Sequence, residues 1–128
     1  MGVFGVILDN ENRLLLCHRR DYDLWNLPGG GLEKEESPWQ GVIREIQEET
    51  GIIAKVQRLS GVYFKPKENN VVLVFLCEAI GGEIKLSDEA DQIEYFRFDE
   101  LPKNLPLKHV ERAKDALENL NIVAMKIQ

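Results

Sequence analysis

The sequence predicts a mixed α/β fold, in which helices cover a mixed β-sheet. Three observations carry this. Short apolar or alternating runs recur at 3–8, 14–20, 53–65, 71–80 and 93–98. Two other segments, about 38–50 and 108–120, repeat their apolar residues at helical spacing. Their order, β-β-loop-α-β-β-β-α, fits neither a helical bundle nor an all-β sandwich. With 128 residues, 44% apolar and 30% charged, the chain reads as one domain, 1–128, whose core needs no metal or disulfide staple.

Val3 to Leu8 is an apolar run that reads as a buried strand. Asp9-Asn10-Glu11-Asn12 is a turn cluster, and Leu14 to Arg20 resumes as a second strand, so the two are expected to pair as a hairpin. Residues 21–36, DYDLWNLPGGGLEKEE, read as loop. Ser37 is a favourable N-cap, Pro38 suits the first helical position, Gln40 completes a capping box, and Gly51 closes the helix. Trp39, Val42, Ile43 and Ile46 form its apolar stripe. Beyond it come two long strands around the turn at 65–70, a short strand at 83–86 after Gly81-Gly82, and the alternating strand IEYFRF. The last helix places Val110, Ala113, Leu117 and Leu120 on one face and reads as a covering helix without chemistry.

The net charge of −6 argues against wrapping duplex nucleic acid and against an anionic membrane surface. No apolar run reaches the length of a membrane span. Met1-Gly2-Val3 leads directly into a strand-like run, without the features of a secretory leader. With the run starting at Met1, an N-terminal strand is expected to be short or missing. Cys17 and Cys77 sit inside apolar runs and read as buried thiols in a reducing compartment. These features point to a soluble cytoplasmic protein.

The chemistry concentrates in residues 30–52. Glu45, Glu48 and Glu49 stand at i, i+3 and i+4 on the first helix, beside the apolar stripe. Such like charges repel, at a cost of about a few tenths of a kcal/mol each. Alone they fit a solvated acidic surface equally well. Gly41, in the middle of the helix, lowers its propensity by about 1 kcal/mol relative to Ala and reads as clearance for a bulky ligand. The stretch 33–49 holds six Glu against Lys34 and Arg44. Hard cations such as Mg²⁺ take oxygen ligands and share them with phosphates, so this patch can attract a diphosphate once loaded. The glycines at 29–31 let backbone approach such a site.

Gly30, five residues, Glu36, seven residues, and Arg44-Glu45-Ile46-Gln47-Glu48-Glu49-Thr50-Gly51-Ile52 fill every fixed position of the signature of the Nudix hydrolase family, which this chain therefore resembles. LLLCHRR before the box, LPGG at its start and DEADQIEYFRFDELP after it fit as well, so the likeness extends over about 3 to 102. The resemblance implies an α/β/α sandwich with a mixed sheet. It also implies Mg²⁺ (or Mn²⁺) and hydrolysis of a nucleoside diphosphate linked to another moiety, by attack of water on phosphorus. By motif position it makes Glu48 and Glu49 the main metal ligands and Glu45 a ligand or the base. The Gly29 carbonyl becomes a further ligand, and Arg44 orients the carboxylates. Glu36 supports the loop, and Gly30 and Gly51 meet backbone requirements. Glu89 resembles a further ligand or base, with Asp88 as the alternative.

Arg19 or Arg20 could engage a phosphate, and Tyr63, Phe64, Trp25 or Tyr22 could stack a base or ribose; each also fits an ordinary surface or packing role. His18 reads as a strand residue. Substrates left open are ADP-ribose-like sugars, for which Pro66 has a fitting spacing from Gly51, nucleoside triphosphates including oxidised ones, dinucleoside polyphosphates and capped RNA. A catalytically silent nucleotide-binding module is the alternative, although its mark, loss of box carboxylates, is absent. Homodimers are common in the family resembled.

Overall fold

The computed structural model describes all residues, Met1–Gln128. Its strands are β1 (Gly2–Ile7), β2 (Leu14–Arg19), β3 (Trp25–Asn26), β4 (Gly29–Gly31), β5 (Ile52–Lys65), β6 (Asn70–Gly82), β7 (Ala90–Phe96) and β8 (Ala124–Ile127). The helices are α1 (Pro38–Thr50) and α2 (Leu107–Glu118). A five-stranded sheet has the order β4-β1-β6-β5-β8, and a three-stranded sheet the order β3-β2-β7. The larger one is mixed: β1 runs parallel to β6 and β5 to β8, while β4–β1 and β5–β6 are antiparallel.

Two cores explain this arrangement. In β2, Leu15 and Cys17 feed a cluster with Val42 and Ile46 of α1, whereas Leu14 and Leu16 feed one with Ala113 and Ala116 of α2. β1 divides likewise, with Val3 and Ile7 on the α1 side and Val6 on the α2 side. A strand apolar at successive positions is thus buried on both faces, between helices. The outcome is the expected α/β/α layering.

The expected β1–β2 hairpin does not form. One bridge, Leu8 to Leu14, joins the two segments, and the chain then passes from one sheet to the other. Asp9 shapes that crossing by accepting from the amides of Glu11 and Arg13. β1 instead pairs with β4 and β6. The expected strand at 83–86 is also absent. Gly82 adopts φ +77°, which turns the chain out of the ladder, and Lys85 then donates its amide to Thr50.

α1 follows its local code. Ser37 Oγ accepts from the Gln40 amide, and Gln40 Oε1 accepts from the Ser37 amide. Gly51 sits at φ +80°, and a Cβ there would lie 2.2 Å from the Glu83 carbonyl oxygen. The Gly51→Ala variant combines a left-handed penalty with this backbone clash. It is expected to lose about 2 kcal/mol or more in denaturant unfolding. A loss below about 0.5 kcal/mol would contradict the account.

Two expectations on α1 are corrected. Trp39 is 58% exposed and no part of the core, because the first turn of α1 extends past the packed face formed by Val42 and Ile46. Gly41 is buried, and a Cβ there would meet Leu32 Cδ2 at 2.3 Å and Glu36 Oε1 at 2.9 Å. Its missing side chain makes room for the preceding loop, not for a ligand.

Candidate active site

The buried face of α1 carries Glu45 and Glu49 together with Val42 and Ile46. The helix therefore drives two carboxylates inward beside its apolar residues. Glu89, from the segment leading into β7, meets them there. One carboxylate oxygen from each of Glu45, Glu49 and Glu89 lies within 4.8 Å of the others. Glu49 is 5% and Glu45 9% exposed, while Glu89 reaches in from the surface.

The glycine strip of β4 forms the facing wall. A Cβ on Gly30 would lie 2.8 Å from Glu45 Oε1, so glycine is what lets the carboxylate occupy this place. A Cβ on Gly29 would lie 2.1 Å from the Val3 carbonyl oxygen, so close pairing with β1 excludes a side chain. The Gly29 amide is also within reach of the Glu49 carboxylate.

Arg44 joins the remaining acidic groups. It grips Glu36 with Nε to Oε2 at 2.7 Å and Nη2 to Oε1 at 2.9 Å. It donates 3.1 Å bonds to Glu45, to Glu48 and to the Gly31 carbonyl. Such a planar fork holding several carboxylates fixes both the loop and the helix. Glu36 also accepts from the Glu33 amide, which ties down the loop before α1. Glu48 is exposed and outside the close trio, on a shallow depression that Glu89 also borders.

Charge is unbalanced at the trio. Burial first, then the charges of Glu45 and Glu89, push the Glu49 carboxyl up to about 9. Burial also raises Glu45, against the pull of Arg44. Arg44 is already shared among Glu36, Glu45 and Glu48. Clustered carboxylates, two of them buried and only one sharing an arginine, suit a hard divalent cation. The residues present therefore fit the metal that the motif implies.

Glu49 and Glu89 lie at one end of a cleft of about 680 Å³ that runs past Gly29–Gly31 to Lys65, Lys108 and Arg112. Arg19 and Arg20 border it, as does Asp88. Arg19 is engaged by the Asp21 carboxylate, and Arg20 Nε donates to the Ser87 carbonyl at 2.7 Å. Tyr63 does not stack a ligand. It is fully buried in the α2-side core, and its hydroxyl donates to Asp115 at 2.7 Å. Phe64, its neighbour on β5, is partly exposed and does not line the cleft. Sequence reasoning missed the contribution of α2, which brings His109 and Arg112 to the cleft.

The two histidines respond oppositely to pH. His18 lies between Asp23 and Asp91, 2.7 Å from each, and these carboxylates raise its pKa. His109 is buried, and that burial, followed by the charges of Arg112 and Lys108, lowers it to about 3. The stabilising contribution of His18 is present below the ordinary 6.5 and is lost as pH rises through its raised value. That of His109 is present above 6.5 and is lost as pH falls toward about 3. In an NMR titration, one imidazole is expected to titrate above the usual range and the other to stay neutral at pH 5. Two ordinary titrations would contradict both environments.

Carboxylates gathered beside a glycine strip at a polar cleft, in an α/β/α sandwich, form a site suited to a divalent cation and an anionic ligand. Comparison with known proteins agrees. The NUDIX domain family matches residues 1–120, and the chain belongs to that family. It is 39% identical over 118 residues to a MutT-like protein of Streptomyces ambofaciens, covering 92% of this chain and 77% of that one. It is 39% identical over 116 residues to an ADP-ribose pyrophosphatase of Methanocaldococcus jannaschii, covering 85% and 68%. A solved ADP-ribose pyrophosphatase from Streptococcus suis superposes with a TM-score of 0.85 at 26% identity, covering 99% of this chain and 97% of that one. The chain is thus an enzyme of the Nudix hydrolases, which act on pyrophosphate bonds. No helix is long and apolar enough to cross a membrane.

Proposed function

We propose that the protein uses Mg²⁺ or Mn²⁺ to hydrolyse the diphosphate of a nucleoside diphosphate linked to another moiety, with ADP-ribose-like compounds as the first substrates to test. The observation that carries this reading is the trio Glu45, Glu49 and Glu89, two of which, Glu49 and Glu89, line the cleft. Two of the similar proteins named above are ADP-ribose pyrophosphatases, which favours this choice over nucleoside triphosphates.

In this reading Glu49 and Glu89 would hold the cation, with Glu48 and the Gly29 backbone as further oxygen donors and Glu45 beside them as the base. When bound, the cation neutralises diphosphate charge and makes water a better nucleophile. The chain's own residues set the geometry. Arg44 keeps Glu45 and Glu48 oriented and holds the loop through Glu36. Gly30 leaves the space that Glu45 fills. Glu45, whose burial raises its proton affinity, is our choice to accept the proton of the attacking water. Glu89 is the alternative for that step. Arg19 and Arg20 border the cleft where they can draw in phosphate oxygens.

The test is a product assay over ADP-ribose, nucleoside triphosphates and dinucleoside polyphosphates, with Mg²⁺ and with chelator. Mg²⁺-dependent release of a nucleoside monophosphate supports the proposal. Binding of these compounds without turnover would instead identify a nucleotide-binding module.

A further inference from the structure

Where α2 borders it, the cleft is basic. Lys65, Lys108 and Arg112 converge there, joined by His109. Arg112 is 1% exposed, yet no carboxylate pairs with it. Its Nε donates to Gln128 Oε1 at 3.0 Å, and the Phe4 and Tyr63 rings flank its guanidinium at 5.2 and 5.7 Å. Nε is the only one of its side-chain nitrogens with a hydrogen bond inside the chain, and the residue lines the cleft.

The nearby acids are already engaged. Asp115 accepts from Tyr63 and Lys126, and Glu111 from Lys126 and Gln128. Only Glu68 pairs with Lys65. Lys108 packs against Lys65 and Arg112 without a carboxylate of its own, and burial together with these like charges lowers its pKa. His109 Nδ1 accepts from the Leu27 amide at 3.3 Å, so its neutral ring keeps Nε2–H as a donor.

A buried guanidinium without an anion is costly to maintain, because one neutral acceptor and two ring faces repay only part of its desolvation. Two ammonium groups crowded beside it add to that cost. A tetrahedral oxyanion has enough acceptors for all of these donors, and Arg recognises such groups through paired N–H bonds.

We infer that Arg112, Lys108, Lys65 and His109 form a second anion subsite, which takes a phosphoryl group of the substrate other than the one held at the carboxylate end. This rests on the hydrolase reading only in supplying the substrate; the subsite itself is argued from the basic end alone. Among the substrates left open, such a subsite favours those with a phosphate beyond the cleaved diphosphate, such as dinucleoside polyphosphates, over ADP-ribose, which has none, and the product assay ranks the two. Little aromatic surface competes for this role, since Phe4 is already covered by Arg112 and by the edge of His109.

The test titrates inorganic phosphate into chelator-treated protein, followed by calorimetry and by the Arg112 Nε–H resonance. Saturable binding is expected. It weakens about tenfold or more in Lys108→Gln, an exposed position where the fold is expected to survive. Arg112→Lys, which keeps charge but loses the planar fork, is expected to weaken it as well. In Mg²⁺-loaded enzyme, phosphate is expected to raise KM without changing kcat. Absence of saturable binding, or binding unaffected by Lys108→Gln and Lys65→Gln, would overturn the subsite. Binding that does not compete with substrate would assign it to free phosphate instead and would overturn the substrate role. Protein that binds phosphate here but hydrolyses nothing speaks against the proposed reaction and leaves the subsite standing.

Discussion

Glu49→Gln is expected to lower Mg²⁺-supported hydrolysis by about 10³-fold or more, while making the metal-free protein more stable than the parent. The two effects have one origin. Glu49 lies among Glu45 and Glu89 with 5% exposure, and burial with those charges pushes its carboxyl up to about 9. A raised folded-state value means that its stabilising contribution is complete below the ordinary 4.5 and is lost as pH rises toward about 9. Gln stays neutral throughout, so the stability advantage of the variant is expected to widen over that interval. In the proposed reading catalysis moves the other way, because losing an anionic ligand would remove several kcal/mol of charge stabilisation from the transition state. Chemical unfolding at several pH values, run beside steady-state kinetics, checks both. A variant that is both active and destabilised would contradict the reading of the trio.

Arg44→Ala is expected to affect stability and activity together. Arg44 bridges the loop carboxylate Glu36 and the helix carboxylates Glu45 and Glu48, and also holds the Gly31 carbonyl. Its side chain is 21% exposed and that of Glu36 13%, so the partners left behind are poorly hydrated. Removing one member of a largely buried pair strands the other, at a cost of about 2 kcal/mol or more. A fall in kcat of about 10²-fold is expected as Glu45 loses its orientation. Arg44→Lys is expected to recover stability more than activity, since an ammonium restores charge but not the two-pronged grip on Glu36. Equal recovery of both would contradict the positioning role.

The parts of this molecule that were legible in its sequence are those fixed by local chemistry. α1 begins and ends where Ser37, Pro38, Gln40 and Gly51 place it, because caps act within a turn of the helix. β5 and β6 were legible because long runs with turn residues between them pair with each other. β3 and β4 were not, since strands of two and three residues in a Pro-Gly loop show no run of their own and exist only through their partners β2 and β1. β8 likewise depends on parallel pairing with β5. The hairpin expectation failed because the edges of β1 are taken by β4 and β6, partners that no local pattern announces, while β2 pairs with β3 and β7.

The site divides along similar lines. Glu45 and Glu49 could be placed on one helix face from spacing alone, but their burial could not, because it comes from the glycine wall of β4. Glu89 entered only through the resemblance, since a loop carboxylate carries no pattern of its own. Arg112 and His109 were invisible as cleft residues. On the helix pattern α2 reads as a cover, and only the fold of β1 and β5 against it shows where the guanidinium goes. Tyr63 shows the converse error: an aromatic that looked available for stacking is committed to the core through Asp115.

Calorimetric titration of Mn²⁺ into the parent protein and into Glu49→Gln, in buffers of different ionisation enthalpy near pH 7, tests the central claim most directly. The account predicts saturable binding to the parent with release of a proton, because the carboxyl raised to about 9 must ionise to ligate. It also predicts binding at least about tenfold weaker, without that proton, in the variant. Equal affinity in the two proteins, or parent binding without proton release, would contradict it.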